Sequence, residues 1–190
     1  MLLIIDNHSG LVGSITRILD ELKCKYIIKD QKSFLADINV EKIKGVILSG
    51  GGPDLDTEID VNDIRADFAA LINFDVPVLG ICEGHEIIGY ACGGTVKRLK
   101  DRVVTESNTV KILNKSKIFK GLPNEIKVYE NHGCYVSNLP DFLELTATSS
   151  ANTIEGFFHK TKPIYCVQFH PEESGEYGEK IIKNFVSLCK

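Results

Sequence analysis

The segment Pro77-Val78-Leu79-Gly80-Ile81-Cys82-Glu83-Gly84-His85-Glu86 sets one cysteine between two glycines at the end of a short apolar run. That is the sequence form of a nucleophile elbow, a sharp strand-to-helix turn that exposes a nucleophile at the carboxyl end of a strand. A Cβ at either glycine would crowd the turn. The thiol would stand at a helix N-terminus, where the positive end of the helix dipole favours thiolate. A cysteine nucleophile also needs a base and a group that orients it, and Gln168-Phe169-His170-Pro171-Glu172 offers both. Residues two apart in an extended segment leave on the same side. Glu172 could therefore fix the tautomer of His170 and stabilise its imidazolium. Cys82, His170 and Glu172 would then form a Cys-His-Glu triad for acyl transfer.

A third motif is Ser49-Gly50-Gly51-Gly52-Pro53, expected to be a loop. It has three readings: a plain turn, a phosphate loop, or one side of an oxyanion hole. It lacks the Gly-Lys-Ser/Thr of a P-loop. As an oxyanion hole it would supply the N–H of Gly51, with the N–H of Glu83 as the second donor.

The elements that must position these groups follow from periodicity. Leu2–Ile5, Tyr26–Ile28, Gly45–Leu48 and Val76–Ile81 are strand candidates. Residues 10–23, 60–73 and 84–92 carry helical spacing between and after them. This βαβα order implies an α/β fold with a mostly parallel sheet flanked by helices. Strand ends in such a sheet carry the ligand crevice, and both motifs lie at predicted strand ends. The second half is β-rich, with Thr109–Leu113, Ile126–Tyr129, Leu143–Ala147, Thr153–Phe158 and Ile164–Phe169 adding partly antiparallel strands before a helix over 175–189. No linker or repeat interrupts residues 1–190, which are taken as one domain.

Composition narrows the class. The chain is 43% hydrophobic and 25% charged, with a net charge of −4. It has no basic field for nucleic acid or an anionic membrane. No apolar run approaches the ~20 residues of a membrane span, and Met1–Asp6 resembles a first strand rather than a signal peptide. The six cysteines (Cys24, Cys82, Cys92, Cys134, Cys166, Cys189) form no Cys-x-x-Cys pair, which argues against a zinc or thioredoxin motif. Free thiols in a reducing cytoplasm are expected. The acidic run Asp54, Asp56, Glu58, Asp60, Asp63 lacks the EF-hand glycine and terminal Glu, so a solvated helix start is expected and no metal.

Gly80-Ile81-Cys82-Glu83-Gly84-His85-Glu86 resembles the Gly-Ile-Cys-Leu-Gly-His-Gln motif of class I (triad) glutamine amidotransferases. Gln168 to Glu172 matches that family's second motif, Ser49 to Pro53 its oxyanion loop, and Ile5-Asp6-Asn7 its first strand end. The resemblance implies a flavodoxin-like three-layer sandwich. It also implies hydrolysis of glutamine to glutamate and ammonia through a glutamyl thioester on Cys82, with His170 as base and Glu172 as its partner. Gly51, Gly52, Glu83, Glu86, Asn131, His132 and Gly133 would line the substrate pocket, and His132 is expected in a loop. His8 and His85 would be structural, and His159 a solvent-facing strand residue.

Within the family, the chain is most similar to archaeal stand-alone glutaminase subunits of GMP synthetase, over Lys162 to Glu172 and Glu176 to Phe185. That implies an ATP-pyrophosphatase partner subunit that aminates XMP to GMP and carries the ATP and Mg²⁺, with no cofactor in this chain. The alternatives are glutaminase subunits of anthranilate or aminodeoxychorismate synthase, a γ-glutamyl hydrolase, and a non-catalytic regulatory subunit. Two departures matter. Glu86 stands where the family has Gln; a carboxylate can take the substrate ammonium but, ionised, donates no hydrogen bond. Glu83 replaces a usual Leu, and both charges would oppose a thiolate at Cys82.

Overall fold

The computed structural model describes residues 1–51, 60–115, 117–150 and 153–190. Among the described residues, nine strands and four α-helices follow in chain order: β1 (Leu2–Asn7), α1 (Val12–Glu21), β2 (Tyr26–Asp30), β3 (Gly45–Gly51), α2 (Arg65–Asn73), β4 (Val78–Ile81), α3 (Glu83–Ala91), β5 (Thr95–Ile112), β6 (Glu125–Asn138), β7 (Leu143–Thr148), β8 (Gly156–His159), β9 (Ile164–Val167) and α4 (Gly175–Leu188). All nine strands form one sheet in the order β2-β1-β3-β4-β9-β8-β7-β5-β6. The five from β2 to β9 pair in parallel. From β9 onward the pairing is antiparallel.

Alternation along β1 builds the layers. Leu2 and Ile4 pack on one face of the sheet with Ile15, Ile18 and Leu19 of α1 and with Ile181, Ile182 and Phe185 of α4. Leu3 and Ile5 point to the other face, with Ala66 and Ala70 of α2 and Ile88 of α3. Strands covered on both faces read as continuous apolar runs, and Ile4, Ile5, Ile47, Leu48 and Leu79 are fully buried. The expected three-layer α/β sandwich is therefore present.

Several boundaries differ from the sequence expectation. Gly50 and Gly51 belong to β3 rather than to a loop, because Asn7 ties the strand end down. The Asn7 N–H donates to Ser49 Oγ (3.0 Å), and its side-chain Nδ2 donates to the Ser49 carbonyl (3.0 Å) and to Asp67 Oδ1 (3.2 Å). Gly52, Pro53 and the acidic positions Asp54, Asp56 and Glu58 lie outside the described residues. Of that run, Asp63 pairs with Lys32 (2.6 Å), and among the described residues no His/Cys/Asp/Glu cluster could hold a metal ion. The largest difference is β5 with β6, a ribbon far longer than the apolar stretches 109–113 and 126–129. Its outer half is exposed on β5, and its register breaks three times, so no period of two survives in the sequence. No described helix is long and apolar enough to cross a membrane.

Candidate active site

Three adjacent parallel strands bring the three motifs to one edge. Gly50 and Gly51 end β3, Cys82 follows β4, and His170 lies just beyond β9. Neighbouring strands run about 4.8 Å apart, so sheet order alone puts these residues within side-chain reach of one another.

Cys82 sits at the elbow with φ 52° and ψ −107°, a left-handed backbone that non-glycine residues seldom adopt and that recurs at functional sites. The strain is held from several sides. The Cys82 N–H donates to the Val167 carbonyl (2.9 Å), and the Cys82 carbonyl accepts from the Glu86 N–H (3.1 Å) as α3 begins. The two elbow glycines touch: a Cβ on Gly80 would lie 2.7 Å from the Gly84 carbonyl oxygen, and one on Gly84 would strike the Leu48 backbone. Any side chain at either position would push α3 off the sheet.

His170 is fastened to β6. Its N–H donates to the Tyr129 carbonyl (2.9 Å). Ser174 Oγ donates to the His170 carbonyl (2.6 Å) and accepts the Tyr129 N–H (3.0 Å). Pro171–Glu173 form a 3-10 turn, not the extended segment expected, because Pro171 occupies the first helical position, where a missing N–H costs nothing. The pairing survives: Nδ1 of His170 meets Glu172 Oε1 at 2.9 Å. A carboxylate only accepts, so Nδ1 carries the proton and Nε2 is left as the basic nitrogen. His170 and Glu172 are each 3% exposed, and Cys82 is 5% exposed.

Gly50 marks where His170 and Cys82 converge. A Cβ there would stand 2.7 Å from His170 Cε1 and 3.4 Å from Cys82 Cβ. Only a residue without a side chain lets both groups close over the end of β3. On Gly51 a Cβ would overlap the Glu83 carboxylate, so the glycine strand end and the residue after the cysteine are in contact.

The helix terminus does not make the resting thiol a thiolate. Burial pushes the Cys82 thiol well above its ordinary value, and the carboxylates of Glu86, Glu172 and Glu83 add to this. The Glu83 backbone N–H, directed at the sulfur, works the other way. In this state the thiol donates to the Asn131 carbonyl (3.7 Å). Glu86 is 3% exposed and accepts from Gln168 Nε2 (2.8 Å), which joins the two sequence motifs through their flanking residues.

Asn131, His132 and Gly133 lie within β6 rather than in a loop. The His132 ring engages the Cys134 carbonyl (2.8 Å) and Glu130 (3.8 Å). Behind it lies a buried acidic group that the sequence did not reveal: Glu130 accepts from Asn108 (2.8 Å), and Glu155 accepts from Ser149 (2.7 Å). Glu130 and Glu155 interact, and burial together with Glu130 pushes the Glu155 carboxyl up to about 8. His85 is buried against the Phe157 ring at 4.7 Å, and burial lowers it to about 3, so it is a neutral packing residue. His8 pairs with Asp30 (2.7 Å). His159, at the end of β8, accepts the N–H groups of Thr161 and Lys162 (both 3.1 Å). All six cysteines are free thiols. Ser174, Tyr129 and Arg102, which contacts Asn131 (2.8 Å), also went unpredicted. The basic stretch Lys97 to Arg102 was the one visible signal for the last of these.

This geometry has close relatives. The profile of the class-I glutamine amidotransferase family matches residues 3–189. The chain is 39% identical over 196 residues to a glutamine-hydrolyzing GMP synthase subunit of Methanococcus vannielii, covering 100% of this chain and 97% of that protein. It is 36% identical to the subunit of the same name from Thermoplasma acidophilum, covering 98% and 91%. A crystal structure of a Thermoplasma acidophilum protein, assigned as the same GMP synthase subunit, superposes with a TM-score of 0.90 at 34% identity, covering 99% of this chain and 92% of that one. A Thermotoga maritima glutamine amidotransferase structure, at 22% identity and a TM-score of 0.77 over 98% and 82%, shares the fold. With the family profile spanning nearly its whole length, the chain belongs to the class-I glutamine amidotransferases.

Proposed function

We propose that this chain is the glutaminase subunit of a two-subunit GMP synthetase. It would hydrolyse glutamine to glutamate and pass the ammonia to an ATP-pyrophosphatase subunit that aminates XMP. The observation that carries the reading is the meeting of Cys82 and the His170–Glu172 pair over Gly50. Full-length relatives named as glutamine-hydrolyzing GMP synthase subunits support the choice of partner.

The reaction follows from the site. His170 Nε2 takes the thiol proton as Cys82 Sγ attacks the carboxamide carbon of glutamine. Glu172 holds the Nδ1–H and steadies the imidazolium. The Glu83 N–H, with that of Gly51, receives the charge that develops on the carboxamide oxygen; loss of one such donor typically costs about 2.7–4 kcal/mol. Collapse expels ammonia, with the imidazolium supplying its proton, and leaves a glutamyl thioester. A water then attacks the thioester carbon, His170 takes its proton, and the thiol leaves with that proton restored, releasing glutamate. Burial and the neighbouring carboxylates keep the resting sulfur protonated, so the base must act as substrate arrives. This chain needs no cofactor; ATP and Mg²⁺ belong to the partner. Free thiols suit a reducing cytoplasm.

The test is glutaminase turnover by wild type and Cys82→Ala, alone and with an ATP-pyrophosphatase subunit, ATP and XMP. Turnover that depends on Cys82 and rises with the partner supports the reading. No turnover in either setting, with glutamine failing to shield Cys82 from alkylation, refutes it in favour of a non-catalytic subunit.

A further inference from the structure

The glutaminase reading leaves one recognition problem unsolved. Glutamine carries an α-carboxylate, yet the groups around Cys82 are carboxylates themselves: Glu86, Glu172 and Glu83 all act on the sulfur. Glutamine is a zwitterion whose ammonium those carboxylates can take, but its α-carboxylate needs a cation, and the ribbon supplies one. Between Arg98 and Val103, β5 advances five residues while β6 advances only from Cys134 to His132. Bulges of this kind re-aim side chains beside active sites. The extra residues end at Arg102, whose Nε donates to Asn131 Oδ1 (2.8 Å) and whose Nη2 donates to the Asn131 carbonyl (3.5 Å). The same carbonyl oxygen accepts from Cys82 Sγ (3.7 Å). Nucleophile and guanidinium thus share one backbone oxygen. With 3.7 Å on one side of it and 3.5 Å on the other, they stand no more than about 7 Å apart.

Building on the glutaminase reading, we propose that Arg102 determines specificity in this site by binding the α-carboxylate of glutamine. The span fits: the reacting carbon and the α-carboxylate carbon of an extended glutamine are four bonds, or roughly 5 Å, apart. The chemistry fits as well. A guanidinium presents five donors in a planar fork that matches a carboxylate, and the bonds to Asn131 orient that fork. Arg102 itself is exposed, at the mouth of a site whose nucleophile and base are buried.

The experiment compares glutamine with 4-aminobutyramide, which lacks only the α-carboxylate, in the assembly where the wild type turns over. Variants are Arg102→Met, Arg102→Gln and Arg102→Lys. Arg102→Met is expected to lower kcat/KM for glutamine roughly 10- to 100-fold, the scale of one charge-assisted hydrogen bond, and to leave 4-aminobutyramide within about 2-fold. Arg102→Gln keeps a donor for Asn131 but no charge and should behave like Met, whereas Arg102→Lys should restore part of the preference. An unchanged preference, an equal loss on both substrates, or rescue by Gln would overturn the assignment and leave the glutaminase reading standing. Protection of Cys82 from iodoacetamide by each ligand gives the same ratio without turnover. A wild type that neither turns over glutamine nor is protected by it overturns the glutaminase reading, and this inference with it.

Discussion

Replacing Gly50 with alanine adds one methyl group at the point where His170 and Cys82 meet. Gly50 has no positive φ, so alanine can adopt its backbone and the effect is steric. The new Cβ would lie 2.7 Å from His170 Cε1, against about 3.5–4.0 Å for a relaxed carbon contact. Something must therefore yield by roughly 1 Å. The end of β3 is held by Asn7 and Ser49, and Cys82 is held by Val167, so the imidazole is the group with most freedom to move. A misplacement of about 1 Å costs on the order of 100-fold in rate, or about 2.7 kcal/mol of barrier. Overpacking at a filled site costs about 1–3 kcal/mol of stability, which leaves the variant folded. The assay is kcat/KM for glutamine alongside thermal unfolding, with Gly13→Ala as control because nothing lies within 4 Å of a Cβ there. A folded Gly50→Ala protein retaining activity within about threefold of wild type would refute the argument that His170 and Cys82 work across this glycine.

Two further expectations follow from buried carboxylates. Removing the charge at Glu86 takes away one of the groups that raise the Cys82 thiol, so Glu86→Gln should move the pH profile of Cys82 alkylation to lower pH. The amide oxygen can still accept from Gln168, and an unmoved profile would count against Glu86 acting on the sulfur. Glu155 has its folded value raised from 4.5 to about 8, so its contribution to stability is fully present below about 4.5 and is lost as pH rises through about 8. It faces Glu130 and His132. Glu155→Gln keeps a donor for Glu130 at every pH, and its melting temperature should exceed that of wild type at pH 9 by more than at pH 5. Parallel curves across that range would count against the raised Glu155 carboxyl.

The sequence by itself determined the candidate residues and the elbow that presents Cys82. Gly80 and Gly84 are legible because an elbow tolerates no side chain at either position, and His170 with Glu172 is legible because their separation is short enough for local geometry to pair them. The apolar runs in β1, β3 and β4 announced a parallel sheet because strands buried on both faces have no polar positions to interrupt them. The tertiary structure decided what depends on sheet order. Only the adjacency of β3, β4 and β9 brings Gly50, Cys82 and His170 together, from positions far apart in the chain. Asn131 was expected in the pocket by resemblance, but only the packing of β6 against the elbow shows its carbonyl at the sulfur, with Arg102 behind it and Ser174 stitching His170 to Tyr129. The ribbon that carries them has a solvated outer half and three register breaks, so no hydrophobic period marked it. The sequence showed that Glu83 and Glu86 would oppose a thiolate at Cys82, but not how the balance falls. A helix N-terminus favours thiolate, but desolvation together with Glu83, Glu86 and Glu172 outweighs it, and burial is a property of the assembled fold alone.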